Sequence, residues 1–219
     1  MNIALIIARA GSVCIKNKNI KNFFGKPIIF YPIQTLKKSK IFKKIYVSTD
    51  SKNISKIVKR FGALAPFLRP KKLANNKTST LKVVKHFIGE MQISSNDNIC
   101  CVYPATPLLT KKILRLGMKK FLLNRDSLLA PIQKANKNDE KVFKLNKKNE
   151  IRKKDKSNFF FKDTGQFYFG TAKNFLKCSS ILFSGKTKTM LLKNHEALDV
   201  NTLEDWKLLK KMFKQNKYD

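Results

Sequence analysis

The sequence has 219 residues, of which 42% are hydrophobic and 17 are phenylalanine, so it is long and apolar enough to form one large globular domain rather than a disordered chain. Its formal net charge is +33, and almost all of the excess comes from lysines spread along the whole chain. Proteins that read nucleic acids depend on arginine for bidentate contacts, so this composition favours solvated lysine-rich faces over a nucleic-acid partner. A positive field of this kind still favours anionic small molecules as ligands.

The sequence contains no run of apolar residues that approaches the roughly 20 needed to span a membrane. Residues 3–8 are too few for a signal peptide, and no basic segment precedes them. The four cysteines form no C-x-x-C pair, and neighbouring Cys100 and Cys101 are expected on opposite faces of a strand. We interpret them as reduced residues of a cytoplasmic protein with no membrane partner, rather than as a metal or disulfide framework.

Strand and helix patterns alternate from the beginning of the chain. Apolar runs predict strands at 3–8, 44–48 and 98–103, with helices following at 28–36, 51–61, 78–91 and 110–121. Within the first of these helices, Pro32 is unfavourable.

The second half of the chain predicts a strand at 127–132, a polar hairpin or loop at 134–156, sheet again at 159–168 and a short helix from 172. A last strand is predicted at 197–200, followed by a terminal helix that Thr202 caps. The alternation predicts one α/β domain over residues 1–219, with a doubly wound, mostly parallel sheet and helices on both faces.

Ligands of such sheets bind outside the carboxyl ends of the strands, which directs attention to the polar clusters at 9–19, 48–50, 103–107 and 199–201. In the first cluster, Gly11 and Ser12 allow backbone amides to approach an anion, while Arg9 and Lys18 can neutralise phosphate charge. The cluster fits neither G-x-x-x-x-G-K-[ST] nor G-x-G-x-x-G, so an ordinary basic loop is the alternative interpretation.

Several blocks in a fixed order resemble one family. They are "ARAGSVCIKNKNI", "GKPIIFYPIQTLKKSKIF", "IYVSTD", "PFLRPKKLA" and "ALDVNTLEDW", and together they resemble the nonulosonate cytidylyltransferases, which make CMP-activated sialic acid and its relatives. The blocks "CCVYPATPLL" and "DTGQFYFGTA" resemble the branch of that family that activates pseudaminic acid. The similarity runs from Ile3 to about Leu209.

The resemblance implies a Rossmann-like nucleotidyltransferase fold, with a small arm within about residues 134–162 that forms a homodimer. It also implies a reaction in which the anomeric C2 hydroxyl of a nonulosonic acid attacks the α-phosphorus of CTP and pyrophosphate leaves. Catalysis of such a transfer consists mainly of positioning and charge neutralisation.

Residue by residue, the resemblance places the nucleotide on Ala8, Arg9, Gly11, Ser12, Lys18, Asn19 and Arg69. It places the sugar on Tyr103, Arg152, Asp155 and Gln166. Asp199 and Asn201 occupy the positions of the family's D-x-D site for Mg²⁺. Arg9, Lys18 and Asp199 are the residues expected to be catalytic.

Three positions depart from the family's pattern. Val13 stands where relatives have a basic residue, Lys154 where they have glutamine, and Asn201 where they have the second aspartate. Asn201 can offer an oxygen to Mg²⁺ but brings no negative charge, which predicts weakened metal binding.

Several alternative interpretations remain open at the level of sequence. Asp199 could simply cap the following helix, and Arg152 could belong to a solvated charged face. The substrate could be N-acetylneuraminic, legionaminic or octulosonic acid, or the chain could be a non-catalytic relative that only binds nucleotide.

Overall fold

The computed structural model describes residues 1–12, 14–139, 141–146, 150–152 and 158–215. Its strands are β1 (Asn2–Ile7), β2 (Asn22–Phe23), β3 (Lys26–Pro27), β4 (Lys44–Ser48), β5 (Asn98–Val102), β6 (Leu129–Ala135), β7 (Lys144–Leu145), β8 (Ile151–Arg152), β9 (Phe160–Asp163), β10 (Phe167–Thr171) and β11 (Lys188–Leu191). Its helices are α1 (Phe30–Ser39), α2 (Lys52–Arg60), α3 (Thr80–Glu90), α4 (Lys111–Leu122), α5 (Ala172–Lys177) and α6 (Leu203–Gln215).

One large sheet organises these elements. Its strands follow the order β11-β6-β10-β5-β1-β4, and β9 pairs with β6 outside this path. Strands β4, β1 and β5 are parallel, β11 is parallel to β6, and β10 runs antiparallel between β5 and β6. The predicted α/β fold with a mostly parallel sheet is therefore confirmed.

Helices cover both faces of the sheet, as the sequence predicts. Helices α1, α2 and α4 pack against one face, and α3 and α5 pack against the other. Cys100 belongs to the first of these two core clusters and Cys101 to the second, so the expected alternation is confirmed. Burial raises the pKa of both thiols, that of Cys101 to about 12, which keeps them protonated.

The predicted strand at 197–200 is wrong. The edge position beside β6 is taken instead by β11, a strand that the sequence analysis missed. The chain beyond β11 is irregular, and its carbonyl groups find a side-chain partner: the amide of Gln133 donates to the oxygens of Lys193 and Ala197, both at 3.0 Å. Val200 is buried against Trp206 of α6 rather than in the sheet.

The predicted sheet segment at 159–168 is divided into β9 and β10. Between them lies a turn in which Gly165 has a φ of +59°, a left-handed conformation that glycine adopts at little cost. The two strands consequently have different neighbours, because β9 pairs with β6 and bridges to Phe143, whereas β10 lies between β5 and β6.

The start of α6 is capped as the sequence predicts. The Asp205 amide donates to the Thr202 hydroxyl at 3.1 Å, and the Asp205 carboxylate accepts from the amides of Thr202 and Asn201, both at 2.8 Å. Helix α1 begins at Phe30, so Pro32 lies in its first turn and breaks no helical hydrogen bond. Within the described part of the chain, no helix combines the length and the apolar character needed to cross a bilayer.

Gly170 on β10 tests how tightly the sheet packs against α5. An added Cβ would lie 2.4 Å from Leu128 Cδ2 and 2.9 Å from Phe175 Cε2. We therefore expect Gly170→Ala to lower the free energy of unfolding by about 1–3 kcal/mol in urea denaturation. The matched control is Gly89→Ala at an exposed position of α3, where a Cβ meets nothing within 4 Å and unfolding should become less favourable by about 0.5–1 kcal/mol. Equal stability of the two variants would contradict the packing argument.

Candidate functional site

A cleft of about 280 Å³ opens at the carboxyl edge of the sheet. Of the residues that the sequence analysis assigns to ligands, eight line it: Arg9, Ser12, Lys18, Asn19, Arg69, Tyr103, Asp199 and Asn201. They come together because β1 and β5 are parallel neighbours, so that the segments following Ile7 and Val102 begin at the same edge. Segments distant in sequence thus form one wall.

The loop after β1 is held by its own side chains. The Asn19 amide donates to the Arg9 carbonyl oxygen at 2.9 Å, which joins the two ends of the loop. Ile15 is buried against the hairpin of β2 and β3 and the helix α6. Lys18, Asn19 and Ile20 then form a short 3₁₀ turn after Asn17, whose φ is +53°. Arg9 and Lys18 therefore project from a braced loop rather than from a free basic segment.

Arg69 reaches the cleft from the segment after α2. Its backbone amide donates to the Thr49 carbonyl oxygen at 2.7 Å, and only 4% of the residue is exposed. Burial lowers the pKa of its guanidinium, whereas the charge of Asp50 acts in the opposite direction. The Nε atom is buried with no hydrogen-bond partner in the described part of the chain. Arg69 is therefore a buried cation with a free donor.

Lys18 and Asp199 both line the cleft and interact electrostatically. Burial lowers the pKa of Lys18, and the nearby Asp199 charge raises it. The Lys18 ammonium also donates to the Val200 carbonyl oxygen. Asp199 lies against Gly165, where an added Cβ would be 3.0 Å from the Asp199 carboxyl carbon. The turn glycine between β9 and β10 thus leaves the space that the carboxylate fills.

Asn201 lies beside Asp199, as expected for the two residues of a D-x-N element. Its amide nitrogen donates to Asp199 Oδ2 at 3.0 Å. No group of three or more His, Cys, Asp or Glu residues suited to a metal is found in the described ranges. The pair provides one carboxylate and one amide oxygen, so a divalent cation would need further oxygen ligands from the bound molecule or from water.

Tyr103 begins a chain of hydroxyl groups that leads away from the cleft. The Tyr103 hydroxyl lies 2.6 Å from Thr80 Oγ1 in the cleft wall and also interacts with the Tyr168 hydroxyl. Tyr168 in turn donates a hydrogen bond to Asp163. Burial raises the pKa of Asp163 to about 6, although the Tyr168 hydrogen bond and the amide of Gly165 oppose the shift. The charge of Asp199 adds to the increase.

The remaining assigned residues lie elsewhere. Ala8 is fully buried in the core, and Gly11 is exposed and is not among the residues that line the cleft. Gln166 is buried behind the wall, where its amide donates to the Glu196 carbonyl oxygen at 2.8 Å. Arg152 lies on the β7–β8 hairpin and forms a 3.2 Å ion pair with Glu150.

Three of the positions singled out in the sequence, and part of the predicted arm, fall outside the described residues. Asp155, Val13 and Lys154 are not described, and the proposed arm at 134–162 includes the undescribed residues 140, 147–149 and 153–157. The described part of that arm contains the β7–β8 hairpin and β9, which pairs with β6.

The sequence analysis missed one wall of the cleft. Asn75, Asn76, Thr78 and Thr80 line it, and the Asn76 side chain accepts a hydrogen bond from Arg9. The first three precede α3 and Thr80 begins it, so none of them follows a strand and a search of strand ends does not find them. The polar run from Asn75 to the helix cap Ser79 was the available signal.

The electrostatics of the cleft favour an anionic ligand. Three cationic side chains and one carboxylate are found among the described residues that line it: Arg9, Lys18 and Arg69, with Asp199. Two of the cations are largely buried, where their charge is poorly screened by water. Such an arrangement can bind a polyphosphate and neutralise charge that develops on a leaving phosphate group.

Comparison of the sequence with known proteins finds similarity to enzymes named for cytidylyl transfer or CMP-sugar synthesis. The sequence profile of the cytidylyltransferase family matches residues 3–218. The pseudaminic acid cytidylyltransferase of Campylobacter jejuni is 32% identical, over 98% of this chain and 97% of that protein. The CMP-N,N'-diacetyllegionaminic acid synthase of Legionella pneumophila is 27% identical, over 98% and 97%.

A solved structure extends the comparison to the fold. The structure of CMP:2-keto-3-deoxy-manno-octonic acid synthetase complexed with CTP superposes with a TM-score of 0.77. The match covers 98% of this chain and 99% of the other, at 13% sequence identity. At that identity the likeness concerns the fold.

The raised pKa of Asp163 predicts that the free energy of unfolding falls as the pH rises. Its pKa of about 6 in the folded protein lies above the value near 3.9 of an unfolded chain, so folding favours the protonated form. This contribution is complete below about pH 4 and is lost as the pH rises through 6, at a cost of up to about 3 kcal/mol. We expect Asp163→Asn to remove that loss, so the difference in unfolding free energy between wild type and variant should grow from pH 4 to 7. A difference independent of pH would contradict the burial of this carboxyl group.

Proposed function

The chain belongs to the cytidylyltransferase family, and from this we propose that it transfers CMP from CTP to the anomeric C2 hydroxyl of a nonulosonic acid and releases pyrophosphate. The observation that carries the proposal is the cationic cleft at the carboxyl edge of the sheet. Family membership supplies the reaction class, and the cleft supplies buried positive charge where a triphosphate needs it.

Arg9 and Lys18 are the residues that we assign to the triphosphate. Both project into the cleft from the braced loop after β1, and Lys18 is held at a fixed position by the Val200 carbonyl oxygen. As pyrophosphate leaves, negative charge grows on its oxygens, and cations already fixed in place stabilise that charge without reorganising. Arg69 adds a third cation to the lining of the cleft, with an unused Nε donor for the nucleotide.

Mg²⁺ is the cofactor that we propose, with Asp199 and Asn201 as the residues that would hold it. Mg²⁺ is commonly bound through one or two carboxylates together with substrate phosphates, and this donor pair suits such a shared site. When bound, the ion would neutralise phosphate charge and act as a Lewis acid. The protein's own part is to orient Asp199, which it does through the space left by Gly165 and the hydrogen bond from Asn201.

Pseudaminic acid is the proposed sugar. Two features support this choice over other acidic sugars: the identity of 32% to a pseudaminic acid cytidylyltransferase, against 27% to a legionaminic acid synthase, and the segment from Asp163 to Gly170. Tyr103 lines the cleft and would face the sugar, whereas Gln166 supports the wall from behind. We also propose a cytoplasmic homodimer, joined through the arm that contains the β7–β8 hairpin.

The reaction is tested by pyrophosphate release from CTP and Mg²⁺, with pseudaminic acid, N-acetylneuraminic acid and no sugar assayed in parallel. We expect release with pseudaminic acid and little or none in the other two reactions. Release with N-acetylneuraminic acid alone would keep the reaction and overturn the choice of sugar. A folded protein that binds CTP but fails to release pyrophosphate with any of the sugars would instead be a non-catalytic relative.

Asn201 provides a test of the metal site. In the protein as it stands, Asn201 brings no charge to the ion, so Asn201→Asp should lower the Mg²⁺ concentration for half-maximal activity by roughly 3- to 10-fold. Asn201→Ala removes the oxygen and should raise that concentration. A Mg²⁺ titration of the three proteins decides the matter. If Asn201→Asp leaves both the Mg²⁺ requirement and kcat unchanged, the idea that asparagine weakens this site is wrong.

A further inference from the structure

We propose that Asp50 is a positioning residue, which holds the phosphate-binding loop and the Arg69 guanidinium in the arrangement that binds nucleotide. The inference rests on the proposed function, because it assigns Asp50 a part in the binding of CTP. Asp50 follows β4 at the carboxyl edge of the sheet, yet it does not line the cleft that the described residues form. Its effect is therefore exerted through two other parts of the site.

The first connection is to the loop after β1. The loop leaves the sheet beside β4, where the Ala8 amide donates to the Ser48 carbonyl oxygen at 3.0 Å. Two residues later, the Ala10 amide donates to Asp50 Oδ1 at 2.9 Å. Gly11 and Ser12 follow immediately, and Arg9 lies between the two contacts. The Asp50 carboxylate therefore fixes the point at which the loop turns towards the cleft.

The second connection is electrostatic and concerns Arg69. A buried guanidinium is unfavourable without a nearby negative charge, and the charge of Asp50 is the largest influence that favours the charged form. Arg9 acts against it, because the two guanidinium groups carry the same charge. The Arg69 backbone is tied to the same segment, through its hydrogen bond to the Thr49 carbonyl oxygen at 2.7 Å.

One carboxylate thus serves two parts of the site that carry like charges. It accepts a hydrogen bond from the loop that carries Arg9, and its charge offsets that of Arg69. Since electrostatic binding depends on donors that are already in place, the absence of Asp50 should weaken nucleotide binding although Asp50 itself does not line the cleft. The two roles are separable, because asparagine keeps the Oδ1 acceptor for Ala10 and loses the charge.

The test measures the Kd for CTP by titration calorimetry in the whole protein, for wild type, Asp50→Ala, Asp50→Asn and Ser51→Ala. We expect Asp50→Ala to weaken CTP binding at least tenfold and Asp50→Asn to recover part of that loss. Ser51→Ala is the matched control. It removes the side-chain cap of α2, a 3.3 Å bond from the Ile54 amide, in the same segment, and this side-chain bond is to α2 rather than to the loop. It should lower the melting temperature and leave the Kd unchanged.

Three results would overturn the inference. The first is a wild-type Kd for CTP in Asp50→Ala. The second is the same loss of CTP affinity in Asp50→Ala, Asp50→Asn and Ser51→Ala. The third is a loss of CTP affinity in Ser51→Ala as large as that in Asp50→Ala. If Asp50→Ala fails to fold, Asp50→Asn carries the test alone, and it should bind CTP about 3- to 10-fold more weakly than wild type. Pyrophosphate release by the wild type is measured separately. Its absence would overturn the proposed reaction and leave the comparison of Kd values intact.

Discussion

The burial of positive charge at the carboxyl edge of the sheet is the constraint on which the site depends. Lys18 and Arg69 are both removed from water far enough for burial to lower their pKa values. Few carboxylates accompany them: Asp199 and, with a smaller effect, Asp205 for Lys18, and Asp50 for Arg69. Buried cations with so little compensation are poorly satisfied until an anion arrives, and this imbalance is what gives the cleft its preference for a polyphosphate.

The same constraint explains why loops and turns, rather than α-helices, supply the charged side chains of the cleft. Side chains that neutralise the charge of a ligand must be held in place and yet remain accessible to that ligand. The loop after β1 is held in this way by the hydrogen bond of Asn19 and the buried side chain of Ile15. On the far side, Gly165 gives Asp199 room that any larger residue would take. The loop after β1 is thus supported by a hydrogen bond and a hydrophobic contact, whereas Asp199 is accommodated because Gly165 has no side chain.

The net charge of the protein is a poor guide to this site. Of the 47 lysine and arginine residues in the chain, three line the cleft along the described residues. The surface helices carry many others, such as Lys111, Lys112 and Lys119 on α4, which are exposed. Water screens these charges, whereas the three in the cleft act at close range and low dielectric. The depth of a charge in the fold therefore matters more for binding than the number of charges.

The sequence by itself determined the α/β class, the two faces of the sheet and most of the cleft. Period-two and helical patterns report which face of an element is buried, as Cys100 and Cys101 illustrate, and parallel strands bring their carboxyl ends to one edge. Ordered blocks of sequence also indicated the family. These are local properties, or properties of order along the chain, and one sequence records them directly.

Only the tertiary structure decided which segment closes the sheet and which polar residues support others. Residues 197–200 resemble a strand in composition, but β11 occupies the place beside β6, and competition for a sheet edge is settled between segments. Thr80 and Asn76 enter the cleft from a helix start, Gln166 turns away to the Glu196 carbonyl oxygen, and Asp50 reaches the loop after β1. Each of these outcomes depends on distances between residues that lie tens of positions apart, which no local pattern contains.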